Sequence, residues 1–174
     1  MKLKYLLSIL LLSLILRPTI TIAQVSEYRL KAIFLERFTR FIEWPDSARL
    51  NNKNGHFIIG VYNDENFTKI LQSVYSTRKI KSHKVIIKSI KDTSEISDCH
   101  IIYIGKNVKK DIKPIIASSQ KNGVLTIGDN VDTFNNGIII RFYTKNHKIH
   151  FKIDKNSADT SGLRLDYHLL GNGR

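Results

Sequence analysis

Side chains able to do chemistry are few in this chain, and they lie far apart. The single cysteine, Cys99, stands beside His100. Neighbours on an extended segment point to opposite faces, so the two do not form a nucleophile and its base. The surrounding stretch, "DCHIIYIG", is apolar, and Cys99 reads as a small buried hydrophobe. The histidines are His56, His83, His100, His147, His150 and His168, with no pair at the helical i, i+4 spacing that gathers metal ligands. No G-x-S-x-G elbow and no phosphate-wrapping P-loop is present. The expectation is a non-enzymatic protein without metal or cofactor.

Better-placed polar groups follow the expected strands. Asn63, Asp64 and Glu65 follow the first, Gly105 and Lys106 the third, and Asp129 the fourth. Open α/β sheets bind ligands beyond the carboxyl ends of their strands, where the strand order reverses. For a strand order 2-1-3-4, Asn63, Asp64, Gly105 and Lys106 border that crevice. Each also has a plainer role, Asp64 as a helix cap and Gly105 as a turn. Two further candidates for ligand or partner binding sit near the amino end. Arg37 falls among apolar residues on a helical wheel, either snorkelling to water or contacting a carboxylate. Trp44, the only tryptophan, precedes Pro45 and is either core or an exposed anchor.

The elements that must position these groups alternate. A helix is expected from about Ser26, its cap, to Glu43, with Pro45 ending it. Its apolar stripe is Leu30, Ile33, Phe34, Phe38, Phe41 and Ile42. Asp46 to Gly55 is polar and reads as a loop. Strands are expected at "FIIGVY", "HKVIIKSI", "CHIIYIG" and "VLTIGD", with helices after Asp64 and around Pro114. "GIIIRFY" and "KIHFKID" form an antiparallel hairpin across Thr144–His147, and a short helix closed by Gly162 follows. Alternation predicts a three-layer α/β domain, a mostly parallel sheet flanked by helices with the hairpin antiparallel at one edge.

Residues 1–23 read as a secretory leader. Lys2 and Lys4 precede an apolar run from Leu6 to Leu16, and Thr21-Ile22-Ala23 offers a cleavage site. The run falls short of the roughly 20 residues that span a bilayer. Residues 24–174 are then one domain. Without Lys2, Lys4 and Arg17, 25 basic residues face 15 acidic ones. Export sets nucleic acid aside as the counterpart and favours a solvated basic face, an acidic partner or anionic lipid. One cysteine allows no internal disulfide.

The stretch "KAIFLERFTRFIEWP" resembles the opening motif of the YfiR family of periplasmic proteins. "CHIIYIG", "VLTIGD" and "FNNGIIIRFYTKNHKIHFKIDKNSADTSGLRLDYHLL" resemble it in order, with Phe134, Gly137, Ile139, Phe151, Ile153, Asp154, Ala158, Gly162, Leu163, Leu169 and Leu170 carrying the pattern. The resemblance covers nearly all of Ser26 to Leu170. It implies a compact α/β regulator in the periplasm that binds and represses an inner-membrane diguanylate cyclase of the YfiN type, or a receptor kinase, in cyclic-di-GMP signalling. An outer-membrane lipoprotein of the YfiB type is implied as a second partner, and a homodimer as a further state. It also implies the alternative of a small-molecule-binding sensor module. This chain departs from the family in lacking a second cysteine and in carrying Arg37 where a smaller polar residue is expected, so no site residue is transferred.

Overall fold

The computed structural model describes residues 22–45, 55–106, 108, 112–129 and 137–172. The expected leader through residue 21, most of the Asp46–Gly55 loop and Phe134 lie outside the described residues.

Helix α1 spans Ile22–Thr39 and is followed by the two-residue strand β1, Ile42–Glu43. The main sheet then builds from β2 (His56–Tyr62), β3 (Lys79–Ile80), β4 (His83–Ile90), β5 (Ile101–Ile104), β6 (Leu125–Asp129), β7 (Ile140–Lys145) and β8 (Lys148–Ile153). Its order is β3-β4-β2-β5-β6-β7-β8. Neighbours from β4 to β7 run parallel, and the hairpins β3–β4 and β7–β8 add antiparallel edges. Each hairpin turns on two consecutive non-glycine residues with positive φ, Lys81-Ser82 and Asn146-His147, the backbone that matches strand twist in a two-residue loop. The connecting helices are α2 (Glu65–Tyr75), the 3₁₀ turn Thr93–Asp98, α3 (Lys113–Lys121), α4 (Lys155–Thr160) and α5 (Tyr167–Asn172).

Strand alternation divides the core in two. Phe57, Ile59, Val61, Tyr103, Ile127 and Phe142 face α1 and α2. Ile58, Ile102, Ile104 and Ile138 face α3 and the 3₁₀ turn. This is the expected three-layer arrangement, and the first four long strands take the 2-1-3-4 order. Cys99 is buried in the second cluster with its Sγ against Gly60, where a Cβ would lie 2.8 Å from the sulfur. His100 turns the other way, stacks on Phe57 at 4.7 Å, and accepts the Ile58 N–H through Nδ1 at 2.9 Å.

The first helix departs from expectation in three ways. It begins before Ser26, so Ser26 is an interior residue and not its cap. It ends at Thr39, well before Pro45, because Ile42 and Glu43 pair with Leu165 and Arg164 of a ninth strand, β9 (Arg164–Leu165), and the Phe41 carbonyl accepts the Asp166 N–H. Its buried face is rotated by about one residue position, roughly 100°. Tyr28, Lys31, Ala32, Leu35, Phe38 and Thr39 are buried, whereas Leu30 is 44% and Phe41 37% exposed. Pro45 instead packs over Gly123 and Gly162, both at positive φ.

Candidate functional site

The switch point lies between β2 and β5, and four of the sequence candidates meet there. Asn63 leaves β2 at φ 58° and Asp64 caps α2, accepting the Phe67 N–H at 2.9 Å. The Gly105 N–H donates to the Tyr62 carbonyl at 3.0 Å. A Cβ on Gly105 would come within 2.8 Å of the Asn63 carbonyl oxygen and 2.9 Å of the Asp64 Cβ. Gly105 is therefore needed for close approach of the two strand ends. Lys106 reaches from the same edge to Glu27 at 2.8 Å and lies 3.9 Å from Asp129.

The amino half of α1 fills the space above this edge. Lys31 is 1% exposed, and its ammonium donates to both carboxylate oxygens of Asp129 at 2.7 Å and to Glu27. An ammonium has three protons to donate, and all three are used. Tyr103 donates its hydroxyl to Asp129 at 2.7 Å, and Tyr28 donates to Asp64 at 2.7 Å. Glu27, Tyr28, Lys31 and Tyr103 are site members that the sequence did not single out, and Asp129 stood out there only by its place after the fourth strand. One signal was available. Tyr28, Ala32, Leu35, Phe38 and Ile42 recur at intervals of three or four, and Lys31 falls on that face opposite an Asp ending a buried strand.

The electrostatics hold these groups in their paired forms. Burial, reinforced by the Asp129 charge and hydrogen bond, pushes the Tyr103 phenol far above its ordinary range. Burial and the Asp64 carboxylate do the same to Tyr28. Phenols held this high stay protonated donors and do not exchange protons near neutrality. Burial would raise the Glu27 carboxyl, but hydrogen bonds and charge from Lys106 and Lys31 outweigh it and hold the group below its usual value. Burial likewise opposes the Lys106 charge, and Glu27 and Asp129 more than restore it. Among the described residues, the polar groups gathered at the switch point are bound to one another.

Arg37 and Trp44 are placed elsewhere. Trp44 is buried, packs edge-on to Phe57 at 5.7 Å, and donates Nε1–H to the His100 carbonyl at 3.3 Å. It serves the core. Arg37 is exposed and borders an open cleft of about 400 Å³ lined also by Phe34, Phe41, Phe151 and His168. Beneath the cleft, Phe34 and Phe38 of α1 meet Phe142 and Phe151 of the hairpin at ring distances of 4.9 to 6.0 Å.

The family described as YfiR/HmsC-like matches the chain over residues 28–174. No curated protein matches it.

Proposed function

The chain belongs to the YfiR/HmsC-like family, a family of regulators in cyclic-di-GMP signalling, and on that premise we propose that it acts by docking to a signalling protein. In this reading residues 1–23 are a leader, the remainder works in the periplasm, and the partner is the periplasmic part of an inner-membrane diguanylate cyclase or receptor kinase that it represses. One observation carries the docking reading. Helix α1 buries a lysine while leaving Leu30 in solvent, with Phe41 just past its end exposed as well, the inverse of the usual pattern of an amphipathic helix. The inward lysine is explained by Asp129, and the outward apolar residues are explained by a partner. Repression further requires that the protein bind one state of the receptor more tightly than the other.

Mild crosslinking in intact cells, followed by affinity purification of the tagged protein, tests this reading. Recovery of an inner-membrane cyclase or kinase, together with a rise in cyclic-di-GMP on deletion of the gene, is the expected result. Recovery of neither kind of receptor overturns it.

The cleft beside Arg37 favours the small-molecule sensor as a second reading, since its volume falls within the range of ligand pockets. A ligand of the native state raises the melting temperature. A thermal-shift screen in which every hit is lost in Arg37→Ala supports that reading, and a screen without hits removes it.

A further inference from the structure

We infer that the outer face of α1, with the cleft beside β8, docks an acidic segment of a protein partner that carries large apolar anchors. The inference rests on the docking reading above and adds the chemistry of the occupant. Two ridges run along the exposed side of α1. Leu30 and Phe34, continued by Phe41 just past the helix, form an apolar ridge that ends in the cleft against Phe151 and His168. Arg29 and Arg37, two turns apart, form a cationic ridge beside it, and both are exposed. Neither forms an ion pair with another described residue.

The carboxylates of α1 are committed elsewhere, Glu27 to Lys31 and Lys106, and Glu36 to Arg40. The face therefore presents positive charge beside apolar surface, and its complement is negative charge beside apolar side chains. A second copy of the chain fits poorly. A two-fold contact places the same patch on both subunits and would set the arginine ridges near one another. A small molecule fits the cleft but leaves Leu30 uncovered, because Leu30 stands roughly 10 Å along the helix from Arg37. An elongated segment covers both.

The test uses two fluorescein-labelled helical peptides with identical leucine and phenylalanine anchors, one flanked by glutamates and one by lysines. Fluorescence anisotropy with the protein lacking residues 1–23 is expected to show at least tenfold tighter binding of the glutamate peptide, weakening with salt. Arg37→Glu and Leu30→Ser are each expected to lower that affinity about tenfold. Ile86→Ser, on an exposed apolar residue of β4, is expected to leave it unchanged, and circular dichroism checks that each variant folds.

Equal affinity for the two peptides overturns the inference, as does no binding of either. A concentration-dependent dimer dispersed by Phe41→Ser overturns it in favour of a second copy. An Arg37-dependent melting shift with indole-3-acetate, without peptide binding, overturns it in favour of a small ligand. Receptor recovery that persists in Arg37→Glu/Phe41→Ser retires this face and keeps the receptor. Glutamate-peptide binding without any recovered receptor keeps the face and retires the receptor.

Discussion

The two halves of α1 are held to the same sheet by different physics. The amino half is fixed by charge, with Lys31 on Asp129 and Tyr28 on Asp64. The carboxyl half is fixed by rings, with Phe34 and Phe38 packed on Phe142 and Phe151. Ion pairs out of water are directional and fail abruptly when one partner is lost. Aromatic packing is less directional and depends on area and shape. The polar contacts thus set where the helix sits, and the aromatic contacts pack the rest of its inner face on the hairpin.

The largest effects separate the halves directly. Lys31→Ala leaves Asp129 buried without its ammonium and is expected to cost about 3–5 kcal/mol of unfolding free energy. Phe38→Ala is expected to cost a similar ~3–5 kcal/mol by opening a cavity. Urea denaturation measures both, and the double substitution Lys31→Met/Asp129→Asn tells them apart. It removes the charge pair while leaving Tyr103 an acceptor, so most of the Lys31→Ala loss is expected to return. A double variant as unstable as Lys31→Ala contradicts the assignment.

Tyr103→Phe sharpens the comparison at intermediate size. It removes one hydrogen bond to a buried carboxylate, and a loss of about 1.5–3 kcal/mol is expected by the same measurement.

The smallest effect is the most diagnostic. The Glu27 carboxyl is held below the ordinary glutamate value of 4.5 in the folded protein. Its contribution is therefore complete above that value and lost as pH falls through the lower folded value. Glu27→Gln is expected to cost under about 1 kcal/mol near neutrality, since the group is partly exposed. That gap to the unsubstituted protein is expected to close below pH 4.5, while the gap for Phe38→Ala stays open. Stability curves between pH 3 and 7 give the answer, and a Glu27→Gln gap that widens in acid contradicts that pairing.

Much of the sheet was legible in the residues because its strands are short apolar runs closed by turn formers. β4 coincides with "HKVIIKSI", and the Asp64 cap was readable from its place before an apolar helix. β1 and β9 were not legible, since two-residue strands have no local pattern and exist only by pairing with each other. The buried face of α1 was not legible for a related reason. Periodicity ranks Leu30 above Lys31, and a lysine goes inward only because Asp129, 98 residues away, meets it there. Arg37 was visible as an irregularity, but its exposure at the rim of a cleft depends on β8 and α5 lying alongside.

By itself the sequence determined the alternation of elements, the division of each strand between two faces, the strand ends at which polar groups gather, and the family. Those follow from local propensity and from apolar periodicity, which neighbouring residues encode. Only the tertiary structure decided which way α1 faces, that the polar groups at the switch point bind one another, and which apolar residues remain in water. Such outcomes depend on charges and rings that meet across the fold, and contacts of that kind leave no trace in local spacing.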